Sequence, residues 1–143
     1  MPREALRTEL QLLRHALPGV TDSAIAAVDG FVVAADTGPD AEPALLSAMA
    51  AATLSLARRT AEVTGRGELG HVLTDCADGR LVVYAIQSTA LLLVVGDRRL
   101  DLDRLNRQAA ITVNRVGAQM RGQVHGFATD STATTDPKGS PVR

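Results

Sequence analysis

The hydrophobic pattern is most informative between Ala44 and Ala57, where the sequence reads ALLSAMAAATLSLA without a charged residue. Two apolar stripes recur here at helical spacing. The first stripe consists of Leu45, Met49, Ala52, Leu56 and Val63, and the second, of smaller residues, consists of Leu46, Ala50, Thr53, Leu54, Ala57 and Ala61. A sheet in so small a domain covers one face of the helix, so we expect the other face to meet a second protein chain. At about 1.5 Å per residue the stretch spans roughly 21 Å, too short to cross a bilayer.

The same spacing predicts two further amphipathic helices. The first covers residues 3–17 and ends at Pro18-Gly19, with an apolar face made of Leu6, Leu10, Leu13 and Leu17. The last begins after Asp101 or Asp103, either of which can cap it. Its apolar face consists of Leu102, Leu105, Ala109, Val113, Val116 and Met120.

Five shorter apolar runs predict strands. Residues 24–28 and 31–35 flank Asp29-Gly30, a pair typical of a two-residue hairpin turn. Residues 69–75 and 81–86 flank Asp78-Gly79, a second turn of the same kind. Residues 90–95 follow, and because this run is continuously apolar we expect it at the centre of the sheet.

The predicted order is therefore helix, two strands, helix, three strands, helix. This order indicates an α+β fold in which a five-stranded antiparallel sheet carries helices on both faces. Residues 1–121 are expected to form the domain. Residues 122–143 are rich in Thr, Ser, Gly and Pro and show no period, so we expect a flexible C-terminal tail.

Composition narrows the class of protein. The 143 residues carry a formal net charge of −1 and only 2% aromatic residues, so neither a basic face nor a stacking surface for nucleic acid is expected. The N-terminal sequence has charges where a signal peptide needs an apolar core, which predicts a cytoplasmic protein without direct membrane insertion. Cys76 is the only cysteine, which excludes an intrachain disulfide.

No motif predicts a catalytic, cofactor-binding or metal-binding residue. Residues 65–70 read GRGELG and fit the dinucleotide pattern, but they follow a helix and precede a strand, the reverse of the required order. Asp101 and Asp103 are interpreted as caps instead of metal ligands. The histidines lie far apart in the sequence, and Cys76 is expected to be a structural or half-exposed thiol.

The order of elements and several local sequences together resemble the Roadblock/dynein-light-chain family, in the bacterial form encoded beside Ras-like GTPases and found in actinobacterial signalling operons. The matching residues are VDGFVVA at 28–34, the alanine-rich helix at 46–61, and Gly67-Glu68-Leu69 before the third strand. Residues 81–95 and the leucine-spaced last helix complete the resemblance, which covers roughly residues 4–121. Polar Gln119 and Arg121 near the helix end, and the long tail, depart from the family pattern.

The resemblance implies a Roadblock/profilin-like fold and a homodimer in which third strands pair edge to edge and second helices lie side by side. Dimerisation also removes two liabilities, an uncovered edge strand and a second apolar helix face. We therefore assign to the dimer interface the residues Leu46, Ala50, Thr53, Leu54, Ala57, Ala61, Leu69, His71 and Leu73.

The resemblance further implies a non-catalytic scaffold or regulator without a cofactor, whose paired second helices bind a small Ras-like GTPase. The expected partner-binding residues are Ser47, Ala51 and Ser55 near the centre, with Arg58, Arg59 and Glu62 at the polar rim. A sensor-kinase signalling complex is a further implied partner, through which the protein would reach the membrane periphery. The alternative from a different class is a small-ligand sensory domain, which the near-absence of aromatic and buried polar residues disfavours. An enzyme is the third reading.

Overall fold

The computed structural model describes the backbone of residues 2–135 and the side chains of residues 3–122. The elements are α1 (Pro2–Ala16), β1 (Val20–Ala27), β2 (Val32–Asp36), α2 (Pro43–Val63), β3 (His71–Cys76), β4 (Gly79–Ile86), β5 (Ala90–Asp97) and α3 (Leu102–Thr135). Their order and type confirm the predicted α+β fold.

All five strands form one sheet in the order β2-β1-β5-β4-β3, and every neighbouring pair is antiparallel. β5 lies at the centre, as its unbroken apolar run predicts. The first hairpin differs from the prediction, because its turn holds four residues, Val28 to Phe31, between the strand ends. Asp29 accepts a hydrogen bond from the Phe31 backbone N–H at 3.1 Å, and Gly30 takes a positive φ of 96°. The aspartate and glycine therefore make the predicted turn, but as part of a longer loop.

The helices cover the two faces of the sheet unequally. α1 and α3 pack together on one face, where their predicted leucine faces join Ile25, Tyr84, Leu92 and Val94 in the larger core. α2 alone packs on the other face, against a smaller core of Ala26, Val83, Leu91 and Leu93. One helix thus has a whole face of a five-stranded sheet to itself.

The last helix begins where the sequence predicts. Asp101 caps α3, because its carboxylate accepts a hydrogen bond from the Arg104 backbone N–H at 3.1 Å, whereas Asp103 lies in the first turn. Met120 is partly buried against the core. The helix continues to Thr135, past the predicted domain end at residue 121. Residues 136–143 lie outside the described residues, and the flexibility of the segment from residue 122 stays a prediction.

The glycine-rich segment after α2 is a helix stop followed by a turn. Gly65 and Gly67 take positive φ angles of 64° and 89°, a conformation that glycine adopts without steric cost. The segment follows α2 and leads into β3, as the sequence predicts. Its amides therefore do not open a helix towards a bound phosphate.

Candidate functional site

The candidate site is the outer surface of α2 together with the sheet edge beside it. Proline at the first position begins the helix, and the first predicted stripe faces outwards along its length. The side chains of Leu45, Met49, Leu56 and Val63 are 54%, 59%, 70% and 76% exposed. Large apolar side chains this exposed on one helix indicate an interaction surface. We call Leu45, Met49, Ala52, Leu56 and Val63 the apolar ridge.

Four residues that the sequence assigns to the site lie instead on the inward face of α2. Ser47, Ala50, Ala51 and Leu54 are at most 7% exposed. The last three pack against the sheet residues of the smaller core. Ala50 and Leu54 therefore pack within their own chain and are not available for a dimer contact. Ser47 and Ala51 are likewise buried on the inward face, so they cannot form the centre of an outer binding surface. Small side chains on this face let the helix approach the strands closely.

The remaining dimer residues of α2 lie on its flank. Leu46, Thr53, Ala57 and Ala61 are half-buried, so each keeps part of its side chain open. The sheet face next to the helix is also incompletely covered. Thr74, Leu81 and Val95 are cross-strand neighbours on β3, β4 and β5, and the first is exposed while the other two are half-buried. We call the flank and this row together the trough beside α2.

The edge strand β3 carries the other predicted dimer residues. It pairs only with β4, and five of its six side chains are exposed. His71 is exposed and its ring lies 5.3 Å from that of Tyr84, while Leu73 is 42% exposed. Leu69 precedes the strand and is half-buried against the smaller core. An edge strand this open is a template for pairing with another chain.

The polar rim lies at the C-terminal half of α2. Ser55, Arg59 and Glu62 are exposed, as an outer rim requires. Arg58 is half-buried and donates a hydrogen bond to the backbone carbonyl of Gln87 at 2.7 Å. A groove of about 520 Å³ opens beside it, lined by Arg58, Ala61, Glu62, Gly67, Glu68, Leu69, Gly70, Ala85, Gln87 and Ser88. Arg58 therefore holds the β4–β5 turn, and the other charges are free to meet a partner.

The structure adds a pair of apolar residues that sequence reasoning did not assign to the site. Phe31 is 76% exposed and Val28 is 40% exposed, both in the β1–β2 turn. The turn touches α2 closely, because a Cβ on Gly30 would come within 3.2 Å of the Ala48 Cα. The signal in the sequence is a bulky aromatic residue directly after Asp29-Gly30, in a chain with almost no aromatic residues.

Tyr84, opposite His71 on β4, is a buried titratable group beside the edge strand. Burial raises the pKa of the Tyr84 phenol above its ordinary range, and its hydroxyl donates to the Asn106 Oδ1 at 2.6 Å. Cys76 is exposed at the end of β3.

Among the residues that the structure describes, no three His, Cys, Asp or Glu side chains are grouped as a metal site would require. Within the same part of the chain, no helix combines the length and hydropathy of a membrane span.

Comparisons with known proteins agree with this architecture. A family model described as the Roadblock/LC7 domain matches residues 6–96. A Roadblock/LC7 domain from Streptomyces avermitilis superposes with a TM-score of 0.76 at 22% identity, covering 80% of this chain and 97% of that one. Myxococcus xanthus MglB gives 0.77 at 12% identity, covering 83% and 90%. Acanthamoeba castellanii profilin IA gives 0.54 at 16% identity, covering 83% and 98%. At such identities the likeness shows the fold. No curated protein sequence matches this chain significantly.

Proposed function

This chain belongs to the Roadblock/LC7 domain family, and we propose that it is a homodimeric, non-catalytic scaffold that binds a small Ras-like GTPase. In this proposal it is of the bacterial GTPase-regulator type and modulates GTP hydrolysis within a signalling module. A sensor-kinase complex is the further proposed partner. The family is generally non-catalytic.

The apolar ridge carries the proposal. Leu56 and Val63 are 70% and 76% exposed on a helix whose opposite face is packed on its own sheet. Burying an apolar surface of this kind is the main driving force of protein association. Ser55, Arg59 and Glu62 lie beside the ridge, which gives an apolar centre with a polar rim, the composition usual in protein interfaces.

The trough and the edge of β3 support a homodimer. A second copy of α2 laid in the trough would cover Leu81 and Val95 and would contact the flank formed by Thr53 and Ala57. At the same time the free edge of β3 would gain a strand. A closed two-fold dimer satisfies both needs with the same surface on each chain.

A second candidate function is a small-ligand sensory domain, which draws on the groove beside Arg58. Its volume of about 520 Å³ lies within the range of small-molecule sites. A thermal-shift screen with nucleotides and metabolites tests this reading, because a specific ligand raises the melting temperature by mass action.

Co-elution tests the GTPase proposal directly. The protein is mixed with each Ras-like GTPase of its host, loaded with GDP or with a non-hydrolysable GTP analogue, and passed over a size-exclusion column. A complex with at least one of them is the expected result. If every mixture elutes as separate components at tens of micromolar, the scaffold proposal fails and the sensory reading becomes the better one.

A further inference from the structure

Along β3, every second residue directs its backbone N–H and C=O groups towards the free edge of the sheet. The Ala85 backbone N–H donates to the Gly70 carbonyl at 3.1 Å, so the amide groups of Gly70 face β4. In an antiparallel pair the hydrogen-bonding direction alternates from one residue to the next. Val72, Thr74 and Cys76 therefore face β4, and the free edge offers the backbone groups of His71, Leu73 and Asp75.

The same three residues place their side chains on one face of the sheet. His71 lies opposite Tyr84, Leu73 opposite Val82, and Asp75 opposite Arg80. Tyr84 and Val82 belong to the core beneath α1 and α3, so the three side chains lie on that face. All three are exposed. The edge of β3 thus presents a basic, an apolar and an acidic side chain in a row.

Resting on the proposed homodimer, we propose that the β3 strands of two copies pair antiparallel with Leu73 on the two-fold axis. Each His71 then lies opposite the partner's Asp75. A two-fold axis perpendicular to the sheet keeps the same face of both β3 strands on the same side of the joined sheet. Residues directly opposite one another point to the same face, and side chains alternate between faces along a strand. The numbers of two paired residues must therefore differ by an even number. In this register the free backbone groups of His71, Leu73 and Asp75 all lie opposite residues within the β3 strand of the partner subunit.

The neighbouring registers are poorer in backbone and side-chain contacts. With Val72 on the axis, His71 would lie opposite the partner's Leu73, and Asp75 opposite the partner's Leu69, which is outside the strand. With Thr74 on the axis, Leu73 would lie opposite the partner's Asp75, and His71 opposite the partner's Ala77 in the turn. Each alternative sets an acid beside a leucine and leaves one edge residue without a strand partner. Opposite charges directly across a strand pair stabilise it, whereas these pairings do not.

Cysteine cross-linking reads the register directly. In a Cys76→Ser background, Leu73→Cys would place two Cα atoms about 5.5 Å apart across the axis, a separation that a disulfide spans. Val72→Cys and Thr74→Cys are the matched controls, since each pair would lie diagonally at about 8 Å, beyond disulfide reach. After mild oxidation we expect nearly all of the Leu73→Cys protein, and little of either control, at twice the chain mass on a non-reducing gel.

Charge reversal tests the side-chain pairing independently. His71→Asp should weaken the dimer about three- to tenfold, because it sets a carboxylate opposite the partner's Asp75 at two symmetric positions. Asp75 also accepts a hydrogen bond from the Arg80 Nε of its own chain at 3.3 Å, so Asp75→Lys alone is measured as well. Adding Asp75→Lys to His71→Asp should bring the dissociation constant back towards that of the wild type. Arg7→Glu, beside β2 at the opposite sheet edge, is the control and should leave the constant unchanged.

The outcomes separate this register from the homodimer itself. A wild type that is monomeric by light scattering at tens of micromolar contradicts the proposed homodimer. A dimer that cross-links through position 72 or 74 overturns only the register, as does a dimer that none of the three cysteines links. A double charge variant that stays as weak as His71→Asp also overturns it.

Discussion

Arg58 is joined to Gln87 by a hydrogen bond of 2.7 Å from the guanidinium to the backbone carbonyl. Gln87 is the one non-glycine residue with a positive φ, 55°, among the described residues. This contact ties the C-terminal half of α2 to the strained β4–β5 turn, whereas the adjacent Arg59 is exposed. Two neighbouring arginines that look equivalent in the sequence therefore have different roles.

Arg58→Ala should destabilise the fold, and Arg59→Ala should not. Loss of the Arg58 hydrogen bond is expected to lower the free energy of unfolding by about 1 kcal/mol, with the value reduced by solvent exposure. Arg59→Ala should change it by less than about 0.5 kcal/mol. Urea unfolding followed by circular dichroism measures both variants. Equal losses in the two would show that the contact with Gln87 is not what stabilises the turn.

Ala50 and Ala57 should respond differently to the same substitution. Ala50→Arg places a charge between α2 and the sheet, and breaking that packing should cost several kcal/mol, roughly 3 to 5, and prevent folding. Ala57→Arg lies on the half-buried flank and should leave a folded monomer. Circular dichroism and light scattering distinguish the two. An Ala57→Arg protein that is still fully dimeric would place the contact elsewhere.

Tyr84 should resist ionisation in the folded protein. It is the only tyrosine of the chain, so its phenolate absorbance can be read without interference. Burial raises its pKa, so folding favours the neutral phenol. That contribution is complete below the ordinary tyrosine value of about 10 and is lost as the pH rises through the raised value. An absorbance titration should show ionisation only well above pH 10, and near 10 in urea. Coincident curves would mean that the ring is not buried.

Ending the chain at Arg121 should leave the domain intact. Met120 is the last described side chain that packs on the core. The sequence that follows is rich in Thr, Ser and Gly and shows no hydrophobic period, so it offers little apolar surface to offset the entropy of ordering. The melting temperature is expected to fall by less than about 5 °C, near 1 kcal/mol for a domain of this size. Differential scanning calorimetry of both chains gives the comparison. A larger drop would show that the segment stabilises the domain.

The sequence predicts elements well where burial imposes a period. The run Leu91–Val95 is apolar at every position because both faces of β5 are covered, and this is what predicted its central place. The leucines of α1 recur at helical spacing because only one face is buried. The orientation of α2 was not predictable in this way, since both of its faces carry apolar residues at the same spacing.

The choice between the two faces of α2 depends on size and tertiary contact. Ala50 and Ala51 face the sheet, where small side chains allow close approach, and Met49 and Leu56 face outwards. A pattern of hydrophobicity alone favours neither arrangement. The exposure of Phe31 has a different cause, because Phe31 lies in a four-residue loop where the sequence predicts a two-residue turn. Met49 and Leu56 belong to the apolar ridge, the surface on which the proposed function rests.

Calorimetric titration of each Ras-like GTPase of the host into the wild type and two variants tests whether the apolar ridge is the GTPase-binding surface. Leu56→Asp puts a charge at the centre of the apolar ridge, and Arg107→Glu changes an exposed charge on α3, on the opposite face of the sheet. Light scattering first establishes that both variants keep the wild-type oligomeric state. We predict binding by the wild type and by Arg107→Glu, and at least tenfold weaker binding, about 1.4 kcal/mol, by Leu56→Asp. Equal affinity of all three proteins, or no heat with any GTPase in either nucleotide state, would contradict the account.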